Sequence, residues 1–529
     1  MAGASSSSSQ RVRTALPLAR PAPRRDGSVL CPPADRGTGT VRRCGVPGLD
    51  GLRIALVYPP YGPVRNEPGI KTVKENYGIF PSLSLLYVAG ILEAAGCDVL
   101  FIDAHAEGLS LEQCLDRLRR FGPDYVGYTL TTYLFFQSMD WIRAIKAQLP
   151  VPVIVGGVHL SIYPRETLAY PELDYAVTGE AERALPDLLT ALTRKGDLSA
   201  VRGIAYRRAD GEVVVTPHAA DADIDAAPFP ARNLIDNSIY YSFISQYRNF
   251  TCFITSRGCP YKCIFCEQGS KPFRARSPGN VVDELEICHH EYGIRELDFF
   301  DSSFTIRKQR VIDICEEIQR RRLDIVWAAR TRVDCINDDV LRAMRRAGCN
   351  RIYYGIESGN REILQTLKKS TSLEMYREVI AATRKHGIHT FGYFMVGNPY
   401  ETEATIRQTI RLALELDLDY AQFSKVTPMP ATELYTLLLQ ETGRDYWREH
   451  IEAGVDEDIP RPLCDMTDAE IQRWTRLAYL RFYYRPRYIA RAMARIKSKD
   501  ELKRSLATAW QMLVHDPAAG DDAGMEVLA

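Results

Sequence analysis

Residues 256–266 read SRGCPYKCIFC, which places Cys259, Cys263 and Cys266 on one short loop beside Arg257 and Gly258. Thiolates are soft ligands, and the candidates they raise are zinc or an iron–sulfur cluster. A structural zinc site takes four ligands, usually as two separated pairs. Here the loop holds no fourth cysteine, and the next histidine is His289. Three ligands suit a [4Fe–4S] cluster with one iron left open for substrate chemistry. On this reading Arg257 and Gly258 bring positive charge and close backbone approach to an anionic cluster.

The cysteines follow an apolar run at 251–256, the first strand of an alternating series. Further strands are expected at 295–301, 325–330, 350–356, 389–397 and 419–425, with helices between them. Such βα units predict an open or complete parallel (β/α)6 barrel, with its chemistry on the loops after each strand. Upstream, "RIALVYPP" from Arg53, "DVLFID", "DYVGYTL", "VPVIVGG" and "LDYAVTG" read as strands buried on both faces. In "SLSLLYVAGILEAAGC", Leu85, Val88, Ala89 and Leu92 recur at helical spacing. Together these predict a doubly wound, flavodoxin-like parallel sheet whose ligand sits beyond the carboxyl ends of its strands. "GIAYRRADGEVVVTP" predicts a hairpin turning at Asp210-Gly211.

The fold class is therefore α/β, with five expected segments. A disordered tail spans 1–50, a flavodoxin-like domain 51–216, and a surface linker 217–248. The barrel spans 249–437, and a helical region covers 438–529, with helix to about 515 and a frayed end. Residues after the sixth strand and the helical tail are expected to close the barrel mouth.

Bulk properties exclude several classes. Lys and Arg total 67 and so do Asp and Glu, which gives no electrostatic footprint for nucleic acid or an anionic membrane. No apolar run approaches the roughly 18 residues a spanning helix needs. The first residues, MAGASSSSSQRVRTALPLARPAPRRDG, lack the apolar stretch of a secretory signal. Thirteen cysteines scattered through a long chain do not form a disulfide framework, and free thiols imply a reducing, cytoplasmic compartment.

With Phe265 before its last cysteine, Cys259-x3-Cys263-x2-Cys266 resembles the signature of the radical S-adenosylmethionine (SAM) enzymes. "WAARTRVD", "RIYYGIESG", "FGYFMVGNPYET" and "FSKVTPMPATELY" are similar to strand-end segments of the subgroup with an N-terminal cobalamin-binding domain. The resemblance covers about residues 53–490. It implies that the three cysteines hold the cluster and that SAM chelates its open iron. One electron from a flavodoxin- or ferredoxin-type donor then cleaves SAM to methionine and a 5′-deoxyadenosyl radical. It also implies that the Phe265 backbone lies at the adenine, with Arg330, Glu357 and Glu401 at strand ends as SAM contacts. The competing reading of these charges is capping of the next helix, as with Thr402 and Thr405.

"DAHAEG", residues 103–108, matches D-x-H-x-x-G, by which some cobalamin enzymes supply a cobalt ligand. There the motif follows the first strand; here it follows the second, so His105 is expected to be a solvent-exposed loop residue. The resemblance directs cobalamin instead to "YTLTT", "VIVGGVH" and "VTGEAE". Thr129 and Thr132 are expected at the nucleotide tail, Gly156 and Gly157 permit close approach, and Gly179 and Glu180 lie at a helix start. The alternative is a flavodoxin-like domain that binds no cobalamin.

The implied activity is methyl transfer to an unactivated carbon of a small molecule in secondary-metabolite biosynthesis, with neither nucleic acid nor membrane as partner. The runner-up is a radical dehydratase, epimerase or cyclase on the same barrel. A methylthiotransferase is disfavoured, because Cys97 and Cys114 do not make the second cysteine set of such enzymes.

Overall fold

The computed structural model describes residues 46–62 and 78–495. Expectations for the N-terminal tail up to residue 45, and for helix beyond 495, lie outside the described residues.

The N-terminal sheet runs Asp98–Asp103, Arg53–Tyr58, Tyr125–Thr129, Val153–Gly156, Tyr175–Val177, Ile204–Arg207 and Val213–Val215. The first five pair in parallel. Their spatial order, second, first, third, fourth, fifth, is flavodoxin-like and puts the switch point between Arg53–Tyr58 and Tyr125–Thr129. The expected hairpin is present, and it extends this sheet by antiparallel pairing. Alternation along a strand sends successive side chains to opposite layers. Ala55 and Val57 enter a core with Ile142 and Ile145, whereas Ile54 and Leu56 meet Leu85 and Leu92. Burial on both faces is why these strands read as unbroken apolar runs.

The barrel consists of Phe250–Phe253, Glu296–Phe299, Val326–Thr331, Cys349–Glu357, His389–Val396 and Tyr420–Lys425, all parallel and adjacent in chain order. All six expected strands are found, but the first stops at Phe253. Asp301 accepts from Thr255 N at 2.6 Å, Thr255 Oγ1 at 2.6 Å and Ser256 Oγ at 2.7 Å, and so turns the chain out of the sheet. Ser256–Cys259 then pairs antiparallel with Lys271–Ala275. The cysteines therefore hang on a hairpin above the strand ends.

Residues 217–248 are more than a surface linker. Arg232 is buried and donates to Glu284 Oε1 at 2.6 Å, Thr251 Oγ1 at 3.1 Å and the Cys252 carbonyl at 2.9 Å. Farther on, Gln246 N and Tyr247 N donate to Glu296 Oε2 at 2.5 and 3.0 Å, and Arg351 Nη1 to the Ile244 carbonyl at 3.2 Å. Glu296 opens its strand, so this strap shuts the bottom of the barrel and leaves the carboxyl end for function.

The segment after the sixth strand divides. Tyr435, Leu438, Tyr446, Trp447 and Ile451 pack into the core of the N-terminal domain. Helix Asp468–Tyr483 covers the open edge of the barrel: Tyr479 Oη accepts from Phe423 N at 3.1 Å and Tyr483 Oη from Ala421 N at 3.0 Å. An edge strand with unpaired N–H groups is a template for aggregation, and these tyrosines occupy two of them. The expected closure of the mouth is thus replaced, for this helix, by closure of the edge.

Candidate active site

Gly258 has φ +76 at a bulge between Arg257 and Cys259, and a Cβ there would stand 2.1 Å from the Pro272 carbonyl oxygen. The glycine is therefore required by the hairpin itself. The loop beyond is tied down by Ile264, which packs with Ile363, Leu367, Val426 and Leu434. Its N–H donates to the Leu367 carbonyl at 3.3 Å, and its carbonyl accepts from Leu434 N at 2.8 Å. Phe265 packs against the same group.

Cys259 is buried, and Cys263 and Cys266 are partly so. Burial, and then the neighbouring sulfurs, push the Cys259 thiol up; the Cys266 thiol is also raised, chiefly by burial. Three thiolates on one loop are costly until positive charge sits among them, which is what metal supplies. Among the described residues no three His, Cys, Asp or Glu side chains converge on one ion position. A cluster, each iron of which takes its own thiolate, asks for a spread set.

Charged residues ring the barrel mouth. Arg330 ends the third strand with its guanidinium 3.7 Å from the Phe300 ring centroid, 4.7 Å from that of Tyr353 and 3.7 Å from Asp298 Oδ2. Glu357 ends the fourth strand at φ +68, where a bulge interrupts the register. Its Oε1 accepts from Lys369 Nζ at 2.6 Å, with both side chains buried. Gly355 makes room for this pair: a Cβ there would lie 2.5 Å from Glu357 Oε1 and 2.7 Å from Lys369 Nζ. Glu401 turns back on its own loop, Oε2 accepting from Gly397 N at 2.6 Å and Asn398 N at 2.9 Å. Burial pushes its carboxyl up to about 7. Through Oε2 it braces this turn, and Thr402 caps the following helix, accepting from Thr405 N at 3.4 Å.

In the N-terminal domain an apolar cavity of about 300 Å³ lies at the carboxyl ends of the strands, lined in part by Leu56, Gly127, Thr129, Gly156, Gly179 and Ile254. Gly156 is open: the nearest atom to a Cβ there would be Val177 Cβ at 4.0 Å. Gly157 differs, because its φ is +105 and a Cβ would meet the Leu130 carbonyl oxygen at 2.6 Å. Gly157 also lines the cavity, but its requirement for glycine comes from its left-handed backbone and the approach of the loop after Thr129. Thr129 lines the cavity, whereas Thr132 is turned into the opposite core with Oγ1 3.1 Å from His159 Nδ1. His159 is fully buried, bonded also to Thr167 Oγ1 at 2.9 Å; burial, then the charge of His450, takes its pKa down to about 3.

Glu180 also lines the cavity, but its carboxylate is taken. It receives Arg257 Nη1 at 3.0 Å, Arg274 Nη2, and Ala222 N at 3.0 Å. Burial raises its pKa, and these partners outweigh burial to hold it at about 2. Arg257 reaches Glu182 as well. The expected charge of Arg257 thus points away from the cysteines and into the other domain. His105 is half-buried, stacked on the Tyr61 ring at 4.5 Å and 10°, which corrects its expected exposure.

A family model for the radical SAM superfamily matches residues 253–413, and one for the B12 binding domain matches 71–189. An uncharacterized methyltransferase of Pyrococcus horikoshii is 34% identical over 83% of this chain and 94% of its own length. The chain belongs to the B12-binding radical SAM family. The anaerobic magnesium-protoporphyrin IX monomethyl ester cyclase of Rubrivivax gelatinosus is 31% identical over 74% of this chain and 70% of its own length. Among solved structures, the radical SAM methyltransferase TsrM of Kitasatospora setae, with cobalamin and a [4Fe–4S] cluster, superposes with TM-score 0.61. It is 20% identical, covers 78% of this chain and 83% of its own, and speaks for the fold.

The cofactors of this family are a [4Fe–4S] cluster and SAM in the barrel and cobalamin on the N-terminal domain. Three thiols on one braced hairpin suit the first, and the cavity beside Gly156, which a Cβ would enter, suits the last. No described helix is long and apolar enough to cross a membrane. Arg332, Lys369, Gly127 and Glu182 escaped sequence reasoning; only Arg332, two places after Arg330 with Asp334 following, carried a signal.

Proposed function

We propose that this chain is a cobalamin-dependent radical SAM methyltransferase acting on an unactivated carbon of a small molecule in secondary-metabolite biosynthesis. The observation that carries the reading is one cavity shared by two domains. Its walls include Gly156 and Thr129 from the N-terminal sheet, and Ile254 and Arg257 from the segment leading into Cys259. A group held there by shape reaches toward the cysteine hairpin and the barrel mouth. When bound, the cluster with SAM supplies hydrogen abstraction from substrate carbon, and cobalamin supplies the methyl group.

The protein's own tasks are holding, aiming and excluding water. Cys259, Cys263 and Cys266 hold the cluster. The buried Glu357–Lys369 pair and the ring-stacked Arg330 present fixed charge at the strand ends, suited to the amino, carboxylate and ribose groups of SAM. The strap at Ile244–Tyr247 seals the barrel floor against solvent. Electrons come from a flavodoxin- or ferredoxin-class donor.

The cyclase relative supports a second reading, radical chemistry on the same barrel without methyl transfer. Mass spectrometry of product formed from trideuteriomethyl-labelled SAM separates the two. A label-bearing carbon is expected; unlabelled product with stoichiometric 5′-deoxyadenosine sinks the methyltransferase reading.

A further inference from the structure

Arg332 lies just past the third barrel strand, Val326–Thr331, and is 6% exposed. Three contacts fix its guanidinium. Nε and Nη2 donate to the two carboxylate oxygens of Asp334 at 2.9 and 2.8 Å. One face lies over the Tyr261 ring, inside the cysteine loop, at 3.8 Å from its centroid. Tyr261 is steadied in turn by its hydroxyl, 2.8 Å from Cys335 Sγ. Nη1 then points at Cys263 Sγ, 3.5 Å away. An arginine fork gripped along one edge and stacked on one face has little freedom, and its remaining N–H edge meets a sulfur.

We infer that Arg332 is a positioning residue that donates an N–H to the Cys263 sulfur and thereby eases one-electron reduction of the cluster. The inference rests on the assignment of Cys263 as a cluster ligand. A [4Fe–4S]2+ core with three thiolates carries one net negative charge, and takes a second when a flavodoxin- or ferredoxin-class donor passes it an electron. Hydrogen bonds to ligand sulfur and nearby positive charge favour the more negative, reduced state and raise the potential. Asp334 offsets part of the guanidinium's charge, so the aimed N–H is the larger part of the effect. Lys369, paired with Glu357, is another cation within electrostatic reach of Cys263.

The test uses the full chain reconstituted anaerobically with iron and sulfide. Arg332→Met removes charge and donor; Arg332→Gln removes the charge but keeps an N–H. Iron and sulfide content comes first, and a wild type that holds no cluster overturns the ligand assignment itself. Dithionite titration followed by electron paramagnetic resonance then gives the midpoint potential. The expected order is wild type highest, Arg332→Gln lower and Arg332→Met lowest, with iron content unchanged. Arg332→Met, which removes both charge and donor, titrating at the wild-type potential with its cluster intact overturns the inference. Loss of iron from both variants overturns it too, in favour of a purely structural role.

Discussion

The two carboxyl-end sites of this molecule are built on opposite principles. The cavity in the N-terminal sheet is apolar and is shaped by what is missing, above all a side chain at Gly156. The barrel mouth is crowded with held charge: Arg330 between two aromatic rings, Glu357 on Lys369, Arg332 on Asp334. A bulky organic group with few charges is retained by fit and desolvation. An anionic cluster and a zwitterionic sulfonium need fixed dipoles and counter-charge already in place. Damage should accordingly be all-or-none at the cysteines, graded by volume in the cavity, and small at peripheral positions.

The largest effect is expected at the cluster. Replacing Cys259, Cys263 and Cys266 together with Ala should abolish iron binding and reductive cleavage of SAM, while cobalamin affinity stays within about threefold, because the cavity is walled chiefly by the other domain. Iron analysis and 5′-deoxyadenosine assay check this. Near-stoichiometric iron and sulfide in the triple variant would overturn the assignment.

Next comes a contrast between adjacent glycines. Gly156→Val places methyl groups in the open cavity and should weaken cobalamin at least about tenfold, about 1.4 kcal/mol, with iron content unchanged. Gly157→Val meets the Leu130 carbonyl oxygen at 2.6 Å from a backbone of φ +105, so it should lower folding stability whatever is bound. Thermal denaturation with and without cobalamin tells the two apart. A Gly156 variant with wild-type affinity would move the cofactor out of this cavity.

Sequence alone distinguishes those two glycines poorly, and the reason is physical. Both stand at the end of one strand, and the left-handed backbone of Gly157 and the approach of Leu130, from the neighbouring strand's loop, separate a glycine needed by the fold from one that leaves space. The strands were legible because burial on both faces erases polar alternation, as at Arg53–Tyr58. The cysteine spacing was legible because its chemistry is local. Arg257 was read as a cluster neighbour, yet its partners, Glu180 and Glu182, lie in the other domain. Lys369 sits in the loop "LKKS" with nothing to mark it, because its significance is the Glu357 carboxylate it meets in space. The edge-capping tyrosines, Tyr479 and Tyr483, carry no mark in the sequence, since the need for them arises from a barrel that stops at six strands.

A smaller effect is expected where the domains are joined. Glu182 is almost fully buried and Arg257 about one-quarter exposed, at 27%. Breaking such a pair should cost less than a fully buried one, about 1–3 kcal/mol. Combining Arg257→Ala with Glu182→Gln in a double-mutant cycle should give a coupling in that range. Coupling near zero in urea unfolding would show that the hairpin is held to the N-terminal domain by packing alone, and the shared cavity would lose its charged hinge.

The smallest effect is expected at the histidine whose motif promises most. His105 follows Asp98–Asp103, the edge strand of the sheet, whereas the switch point lies one strand away, beside Arg53–Tyr58. Tyr61, which follows that central strand, stacks flat on the imidazole at 4.5 Å. Burial also lowers the pKa of His105, which favours the neutral ring, so basicity is no obstacle to ligating a metal. Position is the obstacle: the cavity described above opens along Gly127, Gly156 and Gly179, and His105 is absent from its walls. His105→Ala should therefore leave the cob(II)alamin electron paramagnetic resonance spectrum unchanged and cost stability only through the lost stacking, about 0.5–1.5 kcal/mol. Nitrogen superhyperfine splitting present in the wild type and absent in the variant would make His105 a cobalt ligand. That result would place the cofactor at the edge strand, outside the glycine-lined cavity.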